Sequence, residues 1–424
     1  MSMEIRNIED KQLDTFVLYS NKPHFMQTSA WGKVSKNRGY IIHKLGLFDG
    51  NKLVGTALLL EKKVLCYSTF YCPRGFIVDY SDLNLVKTMI EKLKEYVKQR
   101  NGLYFKINPD LIIAKLDDEA NRAIEYKENY DLISYFESLN GTFRGFTTKF
   151  SESSAPRFTF RVDVEKSEEE IFNSLHNTTK KILKEHNPYE VTITKNEVGA
   201  LDDFYKVMKE TSLRKKMYIE PIEYFRNFYE SLKENDEADI YVASIDSDKL
   251  KEVFNNKLSL VDKEIEDVNK RPDGPKKVNK LKDLDAKRNK VLKLKKEVDC
   301  LSEKRIVLSS IITAKFGDKV WTIHGGNSDQ LLFLNANYEL YYHILLDSKK
   351  QGYKQVDFYG SEGKVDKDSE IYGIYLFKLR FGGDFDEFVG EFDFVVKPIA
   401  NKIIGSLLKA RRRILYKLSL KGNK

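Results

Sequence analysis

Two apolar series separated by a proline-rich break constrain the middle of this 424-residue chain more than any other feature. Apolar residues recur at steps of four and three over 254–268, and a similar spacing returns over 284–301. This period is typical of helices that pack along an apolar seam. The break at 271–275 holds two prolines and a glycine, which cannot continue a helix. The sequence therefore predicts an antiparallel coiled-coil hairpin over 247–305.

Strand-like segments flank this predicted hairpin on both sides. Residues 240–245 precede it and residues 306–312 follow it, and both segments are apolar and rich in β-branched side chains. The two ends of a helical hairpin lie side by side, so it can replace the turn between paired strands at small entropic cost. The two segments are predicted to form one β-hairpin that the helices interrupt.

Elsewhere, short apolar strands alternate with amphipathic segments, which predicts a mixed fold of the α+β or α/β class. The order of a helix, a β-hairpin, a helix and a strand repeats once in loose form. Further predicted strands are 52–60 and 102–107, and predicted helices are 83–99, 167–185, 200–212 and 335–350.

Composition limits the class of protein. Hydrophobic residues make up 41% of the chain and aromatic residues 12%, which is enough for a large core divided between two domains. The cysteines Cys66, Cys72 and Cys300 have no metal-binding spacing, which argues against a zinc site or a disulfide framework and fits a reducing cytoplasm. The sequence shows no signal peptide, and no apolar run reaches the roughly 20 residues that span a bilayer. We therefore expect a protein that is neither exported nor membrane-spanning.

The net charge of +8 is concentrated in two segments. Residues 247–305 hold 18 basic and 12 acidic residues, and residues 409–424 hold seven basic and none acidic. The first excess indicates either a solvated helix surface or a contact with nucleic-acid phosphates. Leucines interleave with cations over 407–421, so this segment is predicted to form a basic amphipathic helix. Such a helix binds anionic lipid or nucleic acid, or simply packs its apolar face on the protein body.

The densest concentration of glycines, aromatic residues and charges lies between residues 357 and 393. It comprises Asp-Phe-Tyr-Gly at 357–360, Gly-Ile-Tyr-Leu-Phe-Lys-Leu-Arg-Phe-Gly-Gly at 373–383 and Val-Gly-Glu-Phe-Asp at 389–393. Glycines allow the backbone to approach a ligand or to adopt a positive φ. Lys378 stands among apolar residues, where a charge requires a partner. The pattern indicates a binding site, although strand bulges with Lys378 snorkelling from a half-buried strand would also produce it.

These motifs resemble the signature of the Fem family, aminoacyltransferases that build peptidoglycan interpeptide bridges from aminoacyl-tRNA. Further similar segments extend the resemblance from about residue 31 to residue 393. They are Trp31 to Lys36, Arg74-Gly75 to Asp79, Thr211 to Arg214, and Tyr224-Phe225. Two positions depart from the family pattern. Asn108 stands where the family usually has an acidic residue before proline, and His176 stands where it commonly has arginine.

The resemblance implies a duplicated architecture of two N-acetyltransferase-like (GNAT) domains. The first is predicted at 1–150, completed by 385–424, and the second at 151–384, with the helical hairpin 247–305 inserted into it. An ordinary acetyl-CoA-dependent N-acetyltransferase needs an Arg/Gln-x-x-Gly-x-Gly/Ala turn that binds pyrophosphate. The sequence shows no such turn, which argues against that class.

The resemblance also implies an activity. It is the transfer of an amino acid from aminoacyl-tRNA to an amine of a lipid-linked or nucleotide-linked peptidoglycan precursor, without a metal or organic cofactor. The protein would then be cytoplasmic and peripheral to the inner surface of the membrane. Two alternatives remain open from the sequence. One is a non-catalytic member that binds precursor or partner proteins, and the other is an aminoacyl-tRNA-dependent transferase that acts on protein N-termini.

The resemblance carries candidate site residues with it. Lys36, and after it Arg74, are expected to bind the diphosphate of the precursor, while Arg214 and Tyr224 line the channel between the domains. Lys378 is expected to hold the terminal phosphate of tRNA or the developing oxyanion. The remaining predicted substrate-binding residues are Gly360, Tyr372 and Tyr375. Candidate catalytic bases are Asp357, Glu391 and Asp393, with Asp79 and Asp110 as alternatives or with substrate groups accepting the proton. A structural role for Glu391 and Asp393, anchoring backbone amides of the glycine loop, is the other interpretation.

Overall fold

The computed structural model describes residues 3–186 and 189–421, with side chains described to residue 410 apart from His186. Its strands form two sheets. In spatial order, the first sheet contains β1 (Glu4–Asn7), β2 (Ile41–Asp49), β3 (Lys52–Val64), β4 (Tyr67–Cys72), β5 (Gly102–Ile107), β16 (Phe392–Val395) and β8 (Gly141–Phe143). The second contains β10 (Thr192–Lys195), β11 (Ala238–Asp246), β12 (Arg305–Phe316), β13 (Lys319–Asn327), β14 (Gln355–Asp357), β9 (Phe158–Asp163), β15 (Asp384–Phe388), β6 (Ile112–Leu116) and β7 (Arg122–Glu125).

Helices cover both sheets. In chain order they are α1 (Asp10–Leu18), α2 (Ser29–Asn37), α3 (Leu83–Gln99), α4 (Lys127–Ser138), α5 (Glu168–Ser174), α6 (Asn177–His186), α7 (Ala200–Lys215), α8 (Ile222–Lys233), α9 (Ser247–Asn269), α10 (Pro275–Asp299), α11 (Ala336–Lys350), α12 (Tyr372–Leu379) and α13 (Pro398–Lys421). Within residues 3–186 and 189–421, none of these helices combines the length and apolar character needed to span a bilayer.

The two sheets repeat one order of elements, as the sequence predicts. Strands β1 to β4 pair antiparallel in sequence, and β4 then pairs parallel with β5. Strands β10 to β13 do the same, and β13 pairs parallel with β14. Parallel neighbours require a crossover, which α3 supplies in the first unit and α11 in the second. Two helices also separate the first and second strands of each unit.

The predicted β-hairpin with an inserted helical pair is present. β11 and β12 pair antiparallel from Ala238↔Ala314 to Asp246↔Arg305, and α9 and α10 occupy the place of the turn. The two helices are antiparallel, because Arg288 Nε lies 2.6 Å from Asp262 Oδ1 and the adjacent Lys287 contacts Glu264. Coiled-coil geometry remains a prediction, although the described seam residues that are buried include Phe254, Val261, Val268, Leu284 and Val298.

One local prediction was wrong, and the alternative that placed Lys378 on a half-buried strand is excluded. Residues 167–185 do not form one helix, because Leu175 is extended and separates α5 from α6. Lys378 does not lie on a strand, since Tyr372–Leu379 forms α12. Tyr375 and Lys378, three residues apart, are the buried positions of that helix. Short apolar runs are compatible with either a buried strand or a buried helix, so the sequence pattern did not distinguish them.

The sheets exchange strands near the point where they meet. β6 and β7, which lie within 112–125, pair at the edge of the second sheet, whereas β16 returns to the first sheet between β5 and β8. The domain boundaries 1–150 and 151–384 remain predictions. Strand pairing differs from them at residues 112–125, and residues 385–388 of β15, predicted to complete the first domain, also lie in the second sheet. Residues 422–424 of the predicted C-terminal segment lie outside the described residues.

A buried ionic cluster joins the two sheets. Arg161 of β9 donates from Nη2 to Asp110 Oδ1 and from Nε to Asp357 Oδ2, both at 3.0 Å, and Asp386 of β15 lies 3.7 Å from Nη1. Burial acts to raise the pKa of Asp110, but Arg161 and the neighbouring cations hold it well below its ordinary value. Burial raises the pKa of Asp386 to about 7, against the effect of Arg161. Asp110 follows β5 of the first sheet, so the cluster connects both units.

We predict that Arg161→Met destabilises the protein by about 3–5 kcal/mol, because it leaves buried carboxylates without their cation. Denaturant unfolding measures this change in the free energy of unfolding. Arg6→Met is the matched control, since Arg6 forms an exposed pair with Glu4 and its loss is expected to cost less than about 1 kcal/mol. Equal stability of the two variants would contradict a structural role for the cluster.

Candidate active site between the two units

The buried ammonium of Lys378 is the centre of the candidate site. Its Nζ donates to the backbone carbonyl oxygens of Tyr359 at 2.9 Å and Gly360 at 2.5 Å. Burial lowers the pKa of Lys378 to about 8, against the effect of nearby Asp357. An ammonium has three N–H donors, and these two bonds use two of them. The third is available to a ligand in the adjoining cavity.

That cavity, which we call the α12 cavity, has a volume of about 350 Å³. It opens because β13 and β14 pair only as far as Trp321↔Asp357, and β13 continues to Asn327 without that partner. A Cβ at Gly326 would lie 2.9 Å from the backbone of α7, so glycine permits this close packing. The main lining comes from β13, the C-terminal end of α7, α11 and α12, with Gly325, Gly326, Asn327, Thr211, Arg214, Lys215, Tyr218, Tyr341, Phe377 and Lys378 among its residues.

The charged residues that line the α12 cavity are all basic. They are Arg214, Lys215 and Lys378, and they stand among apolar and aromatic side chains. Arg214 also forms an ion pair with Asp329 and borders a smaller cavity of about 130 Å³ at the start of α11. Cations next to aromatic surface suit a ligand that combines phosphate with a planar ring.

A second cavity, the interdomain cavity, lies between the two units and has a volume of about 430 Å³. The guanidinium of Arg38 stands 5.3 Å from the centre of the Tyr224 ring, and Tyr224 Oη is 3.4 Å from His324 Nε2. Burial, with a contribution from Arg38, lowers the pKa of His324 to about 4, so its ring is neutral at pH 7. Other lining residues are Trp31, Tyr40, Lys62, Tyr71, Tyr104, Lys106, Phe228 and Tyr359.

Lys106 is held at the interdomain cavity by a buried carboxylate. Its Nζ lies 2.7 Å from Glu391 Oε2 and 3.0 Å from Ser154 Oγ. Glu391 also accepts from the backbone N–H of Ser154, so the carboxylate is occupied by protein partners. This arrangement fixes a cation at the cavity and leaves Glu391 as its counter-ion.

The two cavities share β13 as a common wall. Ile323 and His324 line the interdomain cavity, while the next residues, Gly325 to Asn327, line the α12 cavity. Tyr359 also borders the interdomain cavity, and its carbonyl accepts a hydrogen bond from Lys378, which borders the other. Ligands in the two cavities would therefore approach each other across a single strand and one loop.

The structure brings several predicted site residues to these cavities. Lys378 and Arg214 line the α12 cavity, and Tyr224 lines the interdomain cavity. Gly360, at φ +78°, supplies a carbonyl to Lys378. Asp357 is buried under the same loop, where it accepts from Arg161 Nε and from the backbone N–H of Tyr359 at 2.8 Å.

Other predicted site residues are not part of either cavity lining. Lys36 is exposed at the end of α2 and does not line the interdomain cavity. Arg74 is buried, donates from Nη2 to the carbonyl of Pro156 at 2.7 Å and lies over the ring of Phe388. Tyr375 packs in the core against Phe160 and Phe385, and half-buried Tyr372 packs on Tyr375.

The alternative bases also have partners. Asp393 pairs with Arg144, and burial raises its pKa against the effect of that arginine. Asp110 belongs to the Arg161 cluster. Exposed Asp79 accepts from the hydroxyl and the backbone N–H of Ser81, which lowers its pKa.

Three cations of the interdomain cavity are not among the residues predicted from the sequence. Arg38 lies two residues after the predicted Lys36, and Lys62 and Lys106 lie on β3 and β5. Strand alternation offered a signal for Lys106, because Phe105 and Ile107 on either side are buried in the core. His324 had no sequence signal, since its setting depends on the packing of α8 against β13.

Comparison with known proteins finds relatives along the whole chain. The sequence profile of the FemAB family matches residues 8–409. The lipid II:glycine glycyltransferase of Staphylococcus haemolyticus (strain JCSC1435) is 26% identical over 429 residues, covering 98% of this chain and 99% of that protein. The protein of the same name from Staphylococcus aureus (strain MRSA252) is 26% identical over 434 residues, covering 99% and 100%.

A solved structure agrees with these matches. The crystal structure of FemX has a TM-score of 0.76 and 25% sequence identity, and the alignment covers 95% of this chain and 99% of that chain. The predicted mixed fold with two repeated units is confirmed by the strand topology and by this likeness, and the predicted family is confirmed by the profile match. The chain belongs to the FemAB family.

Proposed function

We propose that this protein transfers an aminoacyl group from charged tRNA to an amine of a lipid-linked peptidoglycan precursor. The observation that carries the proposal is the pair of basic cavities that share β13, since transfer requires a donor and an acceptor to meet. The relatives named lipid II:glycine glycyltransferase support the acceptor class and the transfer reaction. A nucleotide-linked precursor, a protein N-terminus and a purely binding role are the alternatives that the experiments below separate.

We assign the α12 cavity to the donor. The 3′ end of an aminoacyl-tRNA presents a phosphate, a ribose and an adenine, and the cavity offers cations beside aromatic and apolar surface. Lys378 contributes its remaining N–H, which stabilises either the terminal phosphate or the oxyanion that forms on the ester carbonyl. The two hydrogen bonds from Lys378 Nζ to backbone carbonyl groups fix the direction of this remaining N–H.

We assign the interdomain cavity to the acceptor. Arg38, Lys62 and Lys106 supply positive charge for the diphosphate of a precursor, and Tyr40 and Tyr104 supply surface for its sugar or peptide. Glu391 keeps Lys106 in place, and Asp357 keeps Arg161 and the 359–360 loop in place. We therefore propose positioning roles for these two carboxylates rather than roles as a general base.

The chemistry needs little from the protein beyond positioning. The acceptor amine, once deprotonated, attacks the ester carbonyl carbon, forming a C–N bond and an oxyanion. Collapse of this intermediate breaks the C–O bond, and the ribose hydroxyl leaves with a proton while the new nitrogen loses one. Substrate groups or water carry these protons, since Asp357 and Glu391 are engaged by cations.

A lipid-linked acceptor also requires the protein to reach a membrane surface. On α13, exposed Ile399, Ile403 and Leu407 follow one another at steps of four, with Lys402 and Lys409 nearby. Residues four apart lie on the same face of a helix. An exposed apolar stripe with cations is typical of helices that lie on anionic lipid. We propose that α13 makes the protein peripheral to the cytoplasmic surface of the membrane.

The function is tested by incubating the purified protein with a pool of charged tRNAs and a lipid-linked disaccharide pentapeptide. We expect a mass increase of one or more aminoacyl residues on the pentapeptide, measured by mass spectrometry, and no increase with uncharged tRNA. Parallel reactions contain the nucleotide-linked precursor or a peptide with a free N-terminus. Unchanged lipid-linked precursor with tight precursor binding would favour the binding role, and a modified peptide would favour the N-terminal transferase.

We predict that Lys378→Met lowers kcat by about 100-fold or more, because the variant lacks the oriented N–H group of Lys378 in the α12 cavity. Methionine preserves much of the side-chain volume, and thermal unfolding of the variant checks that the fold survives. For the wild-type protein, transfer is expected to fall as the pH rises above about 8, since Lys378 then loses its proton. A folded Lys378→Met variant with wild-type turnover would remove Lys378 from the site.

We predict that Arg38→Gln raises KM for the precursor by about tenfold or more, because a charge-assisted hydrogen bond to the diphosphate is lost. Lys36→Gln is the matched comparison, since Lys36 lies in the last turn of α2, two residues before Arg38, but outside the cavity lining. Steady-state kinetics with saturating charged tRNA measure both values. A larger effect at Lys36 would support the sequence-based assignment and contradict the assignment to Arg38.

A further inference from the structure

An exposed run of six residues at the mouth of the α12 cavity is unusual in composition. Leu213–Tyr218 ends α7 and begins the following loop, and all six residues are exposed. Three are large and apolar or aromatic, namely Leu213 at 79%, Met217 at 52% and Tyr218 at 77% exposure, and the other three are basic. Such a surface next to a cavity marks an interaction site.

The run is held in one conformation by the residues around it. Thr211 Oγ1 donates to the carbonyl of Asn327 and accepts from its N–H, both at 2.9 Å, which fixes the end of α7 to β13. Ser212 Oγ donates to the carbonyl of Met217 at 2.6 Å, and Lys215 Nζ donates to the carbonyl of Glu370 at 3.2 Å. The exposed side chains are therefore carried by a fixed backbone turn.

The position of the run relates it to the donor. Arg214, Lys215, Met217 and Tyr218 line the α12 cavity, so the same short segment contributes to the cavity and to the surface outside it. Under the proposed function, on which this inference rests, the cavity holds the terminal adenosine of charged tRNA. The nucleotides before it are unpaired, and they must leave the cavity over its rim.

We infer that Leu213–Tyr218 is a stacking surface for the unpaired nucleotides that precede the terminal adenosine of the donor. Aromatic and apolar side chains bind bases through their faces without regard to sequence, and adjacent cations bind the backbone phosphates. Tyr218 offers the ring, Met217 and Leu213 offer apolar surface, and Lys216 adds an exposed charge. Glu220 accepts from Tyr218 Oη at 3.2 Å and holds the edge of the ring.

If this run binds the unpaired nucleotides, it affects the binding of charged tRNA but not the binding of a donor that consists of the terminal adenosine alone. An aminoacyl ester of adenosine alone fills the cavity without reaching the outer surface, whereas charged tRNA uses both. We therefore compare KM for charged tRNA with KM for the 3′-aminoacyl ester of adenosine. In Tyr218→Ala, the ratio of the first to the second is expected to rise about fivefold, the smallest effect typical of one lost stacking contact.

Two controls make the measurement specific. Tyr218→Phe keeps the aromatic ring and removes only the hydrogen bond to Glu220, so this variant is expected to have the same KM ratio as the wild-type protein. Tyr19→Ala removes an equally exposed tyrosine at the end of α1 and is expected to leave the ratio unchanged. Thermal unfolding confirms that each variant is folded.

The outcomes separate this inference from the proposed function. An active wild-type enzyme whose ratio is unchanged by Tyr218→Ala overturns the stacking surface and leaves the function standing. Transfer by the wild-type protein from neither donor overturns both. Loss of sedimentation with anionic phospholipid vesicles in Tyr218→Ala, together with an unchanged ratio, would identify the run as a membrane contact and overturn the inference.

Discussion

The geometry of the site depends on one buried cation, Arg161. Its guanidinium orients Asp357, and the same carboxylate accepts from the backbone N–H of Tyr359. That bond starts the turn in which Tyr359 and Gly360 both adopt positive φ and direct their carbonyl groups toward Lys378. A buried charge is costly unless it is fully paired, so the cluster permits only a narrow range of arrangements. Lys378 is therefore positioned by a chain of contacts that begins between the two sheets.

Duplication alone does not create two equivalent sites. In the first unit, β4 and β5 remain paired to their last residues, Cys72↔Ile107. The space beyond them is filled by Asn108, which accepts from the N–H of Arg74 and donates to Tyr71 Oη. In the second unit the corresponding strands separate after Trp321↔Asp357, and the α12 cavity occupies the gap. One unit thus keeps the open α12 cavity, while the other contributes residues to the interdomain cavity.

Features encoded by local spacing were predictable from the sequence. The break at 271–275 and the bounds of α3 follow from residues close together in the chain. The pairing of β11 with β12 follows from the helical hairpin between them, whose ends lie side by side. The family motifs also located Lys378 and Tyr224 at cavities. The helix and turn predictions agree with the structure because periodicity and turn residues report local structure directly.

Features that depend on distant partners were not predictable. The pairing of β6 with β15 joins residues more than 260 positions apart, and no local pattern encodes it. Likewise, Lys36 belongs to the family motif, but the orientation of α2 leaves it outside the cavity lining. Arg38, two residues later, lies against Tyr224 and lines the cavity. Glu391 resembled a free carboxylate because its partner Lys106 lies 285 residues away.

The shared wall between the two cavities is a single strand. β13 presents His324 to one cavity and Gly325 to the other, so consecutive residues of one strand face different cavities. A side chain at Gly325 would approach Ile311 and Tyr341, and one at Gly326 would meet the backbone of α7. These glycines therefore keep the strand thin on the side of the α12 cavity. Lys378 fixes the neighbouring loop, so under the proposed function the ester carbonyl and the acceptor amine would meet without a movable segment between them.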